Sequence, residues 1–177
     1  VELFGEVLIP IVLVLIYSFM GVIDEIGNLA AMMTSSKYGH LILAGIVVGF
    51  GSLNGISSTS FSREGRDYYL LESLPIAKKD RLLAKVRLHM LLVYPVDALI
   101  LIVSGIFFKM PLWFYPLSLV LLFNMTLTSS LIGLFIDYNA PYLTWSKSQM
   151  AVKNNMNMMK CMLFSLLIAL IVFIPGI

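Results

Sequence analysis

Apolar residues fall in five long stretches along this chain, near 3–23, 40–60, 86–108, 112–136 and 160–177. A helix needs about 20 consecutive apolar residues to cross the hydrocarbon of a bilayer. The pattern therefore predicts an all-α fold: a polytopic transmembrane helical bundle of about five spans, in a single domain over 1–177. The last stretch is still apolar at Pro175-Gly176-Ile177 and the first begins at Val1, so the chain reads as a fragment of a longer membrane protein. The first stretch has no basic leader and no small-residue cleavage site behind it, which argues against a signal peptide.

Composition agrees. Hydrophobic residues make up 59% and charged ones 12% of the sequence, and mean hydropathy is +0.93. A soluble domain carries roughly 25% charged residues, so too few are present to coat a globule of this size. The single cysteine, Cys161, excludes an intrachain disulfide framework.

Charge placement sets an orientation. Arg63, Arg66, Lys78, Lys79, Arg81, Lys85 and Arg87 lie between spans two and three, and Lys147, Lys153 and Lys160 between spans four and five. The other two connections hold only Lys37 and Lys109. Lysine and arginine gather on the cytoplasmic side of a membrane, which predicts a multi-pass protein of the cell membrane with its N-terminus inside. Trp113, Phe114 and Tyr115 at one end of span four, and Tyr138, Tyr142 and Trp145 at the other, suit the two interfaces.

The stretch Ser62–Pro75 reads as a short amphipathic helix, with Tyr68, Leu71 and Leu74 on one face and Arg66, Asp67 and Glu72 largely elsewhere. Pro75 ends it, and Asp80 is placed to N-cap the next helix. Solvation of helix ends, or docking on anionic lipid, would explain such a loop without further function. The arrangement nevertheless resembles the coupling segment of type-2 ABC transporter permeases. There an Arg-Glu-x-Gly, a Leu-Leu, a Pro-hydrophobic pair and a later Lys fall between the second and third spans. Arg63, Glu64, Gly65, Leu70, Leu71, Pro75, Ile76 and Lys85 stand at matching places.

The resemblance implies a permease that docks this helix in a groove of a separate ATPase subunit and transmits closure of the ATPase dimer to the membrane. Tyr68, Tyr69, Leu71 and Leu74 would supply apolar contacts, with Glu64 and Arg66 at the rim, and Arg63, Gly65 and Pro75 would belong to the same coupling segment. ATP and magnesium would be bound by the partner, with no cofactor on this chain. A second permease half, either another copy or the rest of a longer chain, would complete the exporter. A permease half in that family has six spans, against the five here.

The segment from Asp137 to Lys160 predicts a helix starting at Thr144 or Ser146, with Val152, Met156 and Met159 as its apolar stripe and Lys153, Asn157 and Lys160 opposite. It reads first as an interfacial helix in the headgroup plane. Its Asp-Tyr, Pro, aromatic-Ser/Thr and Lys-Asn-Asn pattern is also similar to a Gram-positive branch of putative ABC exporters, a likeness that assigns no residue a role.

Within the spans, Gly45, Gly49, Gly51, Asn54 and Gly55 form small-residue repeats, and Asn124, Ser129 and Gly133 continue the theme in span four. Close helix packing is the favoured reading, and a polar translocation path the alternative. Asp97 is costly inside a span and reads as a buried hydrogen-bonding group beside the Pro95 kink, or as a protonatable gate. His89 is expected near an interface.

Among chemistries, a phosphate-binding loop is absent, as are a metal-ligand cluster and a Gly-x-Ser-x-Gly turn. The basic residues follow topology rather than forming one nucleic-acid face. The competing readings are an intramembrane enzyme, a protease or lipid-modifying protein using Asp97, His89 and Asn54, and a non-catalytic membrane scaffold. His89 and Asp97 lie two turns apart on one helix, about 12 Å along its axis, which argues against the enzyme.

Overall fold

The computed structural model describes residues 55–107, 110–147 and 149–173, together with the isolated helical positions Asn28 and Gly45. The first predicted span and residues 40–44 and 46–54 of the second, including Gly49, Gly51 and Asn54, lie outside the described residues.

Every regular element among the described residues is helical. Two 3-10 segments, Ser57–Thr59 and Ser62–Asp67, lead into a short helix α1 (Tyr68–Glu72). Helices α2 (Lys78–Phe107) and α3 (Phe114–Asn139) follow, then a single turn α4 (Met150–Lys153) and α5 (Met156–Phe173). Two of these helices are long and apolar enough to cross a membrane, Lys78–Ile106 and Phe114–Asn139, while α5 is a shorter apolar helix.

Local chemistry accounts for several boundaries. After Pro75 the chain re-enters helix at Lys78, two residues earlier than the expected cap, so Asp80 sits in the first turn of α2. An acidic side chain there complements the positive end of the helix dipole. Pro95 lies inside α2 without ending it. Helix α3 stops where Ala140 adopts φ −144° and ψ 62°, immediately before Pro141, because a residue preceding proline is pushed out of the helical region. The helix expected to run through Lys160 without interruption is broken at Asn154 and Asn155, which separate α4 from α5. The Asn155 side chain accepts the Asn157 amide N–H at 2.9 Å, a local bond that competes with helix continuation.

The three long helices pack antiparallel in sequence order. Gly105 of α2 lies against Tyr115 of α3, Tyr94 stacks edge-on against Phe123, and Val86 shares a cluster with Leu134. Along the α3–α5 pair, Asn157 meets Asp137, Cys161 and Ser165 meet Ser129, and Ala169 joins Leu122 and Met125. Short connections favour antiparallel neighbours of this kind.

The distribution of polarity is the reverse of that in a soluble bundle. Ser118, Thr126, Ser129, Ser130 and Asp137 of α3 and Asn157 and Ser165 of α5 are buried, whereas Leu91, Leu99, Ile106, Leu131, Phe135, Leu163 and Ile171 are exposed. The buried row on α5 is Asn157, Cys161, Ser165 and Ala169, four small or polar residues four apart. This corrects the expected face: Asn157 points inward, and Met156 and Met159 point out.

Candidate functional site

All ten described lysines and arginines collect at one end of the bundle, around the start of α2, the end of α3 and the start of α5. At this basic end the two segments between the predicted spans, which sequence treats as separate loops, form one hydrogen-bonded unit.

Its centre is Asp137, in the last turn of α3 and fully buried. One carboxyl oxygen accepts the backbone N–H of Phe61 at 2.6 Å and of Ser62 at 3.0 Å. The other accepts the Ser62 hydroxyl and, at 3.0 Å, the Asn157 amide. The same amide donates to the Ala140 carbonyl at 2.7 Å, closing the frayed end of α3. The Ser62 hydroxyl also accepts the Tyr142 N–H at 2.9 Å. A buried polar group is tolerated when its partners are supplied in this way, and here they come from two distant stretches of chain, Phe61-Ser62 and Asn157.

A second tie lies beside it. Trp145 donates its indole N–H to the Ser62 carbonyl at 2.7 Å and lays its ring against Gly65. Gly65 has φ 57° and ψ −123°, a conformation disfavoured for residues with a side chain. A Cβ there would also lie 2.5 Å from Trp145 Cζ2. This kink lies inside the Ser62–Asp67 3-10 segment, so the single helix expected over Ser62–Pro75 is replaced by a kinked segment followed by the five-residue α1.

A third tie holds the segment to α2. Glu64 pairs with Lys85 at 2.5 Å and lies 3.9 Å from Arg81. Lys85 also donates to the Ser60 carbonyl at 3.1 Å and sits over the Phe61 ring, 4.4 Å from its centroid. Arg81 donates to the Leu71 carbonyl at 3.0 Å. Arg63 bonds back to the Thr59 hydroxyl and the Ile56 carbonyl, four and seven residues earlier.

These ties decide which residues of the predicted docking face are available. Tyr68 is turned inward onto Phe61, so it belongs to the core and not to the outward face; burial pushes its phenol above the ordinary tyrosine range. Leu71 is half-buried. The outward apolar residues are Tyr69, Leu70, Leu74 and Ile76, bordered by exposed Arg66, Asp67, Glu72, Pro75, Lys78 and Lys79.

The remaining candidates are dispersed. Gly133 is a close-approach position, since a Cβ there would meet Ser57 and, at 2.8 Å, the backbone of Ser58. Buried Gly55 lies against Met158. Ser129 faces α5. Asn124 is exposed and donates to the Val120 carbonyl of its own helix at 2.8 Å. Asp97 is half-buried on α2. His89 lies on α2 with its side chain buried in the bundle and no hydrogen bond to either ring nitrogen. The described residues hold no cluster of three metal-ligating side chains.

Sequence reasoning missed the roles of Asp137, Asn157, Trp145 and Arg81. The available signal was Asp137 itself, a carboxylate at the end of an apolar stretch. Comparison with protein-family models, with curated proteins and with solved structures gives no match.

Proposed function

We propose that this chain is the permease part of an ATP-binding-cassette exporter, a multi-pass protein of the cell membrane with its basic end and N-terminus in the cytoplasm. Lipid covers the exposed Leu, Ile and Phe side chains. Separate ATPase subunits bind ATP and magnesium and supply the energy, and a second permease half completes the path. The chain itself is a transport subunit and not an enzyme.

The observation that carries this reading is the pairing of Glu64 with Lys85 across 21 residues. Both belong to the motif by which the chain resembles type-2 permeases, and their pairing holds a short helix with its apolar side outward at the basic end. A surface of Tyr69, Leu70, Leu74 and Ile76 rimmed by charge suits a helix-in-groove contact, in which rim charges govern encounter more than affinity. The kink at Gly65 serves the same end, because it redirects the chain between buried Phe61-Ser62 and α1.

Purification of the full-length protein from its native membrane tests the proposal. A cytosolic ATPase is expected to co-purify with the wild type and to be lost from Leu70→Asp and Leu74→Asp, two exposed positions whose change leaves the buried ties intact. Absence of any ATPase in mild detergent, or its retention by both variants, overturns the reading.

A further inference from the structure

Helix α1 has five residues, too few to hold a helical conformation alone. Its position is therefore set by what it is tied to, and the ties reach every long helix described. Glu64 and the Leu71 carbonyl bind α2 through Lys85 and Arg81. The backbone of Phe61 and Ser62 binds α3 through Asp137. Asp137 in turn binds α5 through Asn157, and Trp145 clasps the connection between α3 and α5 onto Ser62 and Gly65.

We propose that the 3-10 segment, α1, the end of α3 and the start of α5 move as one rigid body with Asp137 as its hub. A partner that displaces α1 then tilts α3 and α5 together rather than bending a loop. Trp145 is a positioning residue in this unit: it touches no partner and acts by holding the connection to the Gly65 kink. The physical reason is that the hub has no solvent contact. Displacing the α1 segment alone would strand the buried N–H groups of Phe61 and Ser62 without an acceptor and leave the buried Asp137 carboxyl with the Asn157 amide alone, and water could not replace the lost partners without opening the core. Interfaces of this kind move between discrete arrangements as units.

The transmission role rests on the exporter reading, whereas the rigid unit does not, and the test separates them. Spin labels are placed at Glu72→Cys and Lys160→Cys, both exposed, in the full-length protein with Cys161→Ser, reconstituted with any co-purifying ATPase. The distance between them is measured without nucleotide and with ATP trapped by vanadate. In the otherwise native protein a narrow distribution is expected, and trapping should shift its mean by less than the roughly 2 Å of an ordinary helix adjustment. Trp145→Phe, which keeps an aromatic ring but removes the indole N–H and the part of the ring that packs on Gly65, should retain the ATPase yet allow a larger ATP-dependent shift. A role in stability alone would not produce that nucleotide dependence. Asp137→Ala should broaden the distribution even without nucleotide.

A large shift on trapping in the native protein, or an unchanged width in Asp137→Ala together with no added shift in Trp145→Phe, overturns the rigid unit. If no ATPase associates, the exporter reading fails, and the nucleotide-free widths of the native protein, Trp145→Phe and Asp137→Ala still decide whether the hub holds the unit.

Discussion

A carboxyl group with no access to solvent must find its donors inside the protein, and Asp137 finds them on Phe61, Ser62 and Asn157. Asp137→Ala is expected to cost about 3 kcal/mol or more, since each stranded buried donor costs roughly 1–3 kcal/mol. Asp137→Asn should recover only part of this, because its amide turns a donor toward other donors. Thermal unfolding in detergent, followed by tryptophan fluorescence, reads both. Gly65 makes a separate case. Gly65→Ala should destabilise by about 1–3 kcal/mol from backbone strain alone, with the Trp145 clash added. In the background Trp145→Ala the same substitution should cost less. Equal costs in the two backgrounds would mean that the ring does not press on this position.

Among the elements, α3 and α5 carry the inverted pattern most clearly. On α3 a row of serines, a threonine and an aspartate faces inward while Leu131 and Phe135 face out. In the proposed bilayer the outward face is solvated by lipid tails, and close approach of small inward residues holds the helices together. Leu131→Arg, near the middle of α3 and about half exposed, should therefore impair membrane insertion by about 2.5–3.5 kcal/mol. On a soluble helix an arginine at such an exposed position is nearly neutral, and a glycosylation-tagged insertion assay distinguishes the two. Helix α5 shows why its face was misjudged from sequence. A soluble or interfacial amphipathic helix puts asparagine out and methionine in, whereas Asn157 is drawn inward by Asp137 and Ala140.

Among the described residues the cations mark one basic end of the bundle. Loops between spans tend to keep lysine and arginine in the cytoplasm, and the ten described cations agree on a single end. Lys153→Cys should thus be shielded from a membrane-impermeant maleimide in intact cells and labelled once the membrane is opened. Leu112→Cys, at the opposite end and highly exposed, should be labelled in intact cells. The opposite result would invert the proposed topology.

Much of this was legible without coordinates. Long apolar stretches identify helices α2, α3 and α5, because backbone groups in an apolar setting must be satisfied within the segment. The clustering of cations marked one end, and Pro75 marked one boundary. The break at Asn154 and Asn155, the inward turn of Tyr68 and Asn157, and the hub at Asp137 were decided by tertiary structure. Asp137 bonds to residues 75 and 76 positions away, and no local pattern encodes a partner at that separation. Periodicity identifies which residues share a face but not which way the face turns. That choice depends on which polar groups can satisfy one another across the folded chain, and the folded structure alone brings them together.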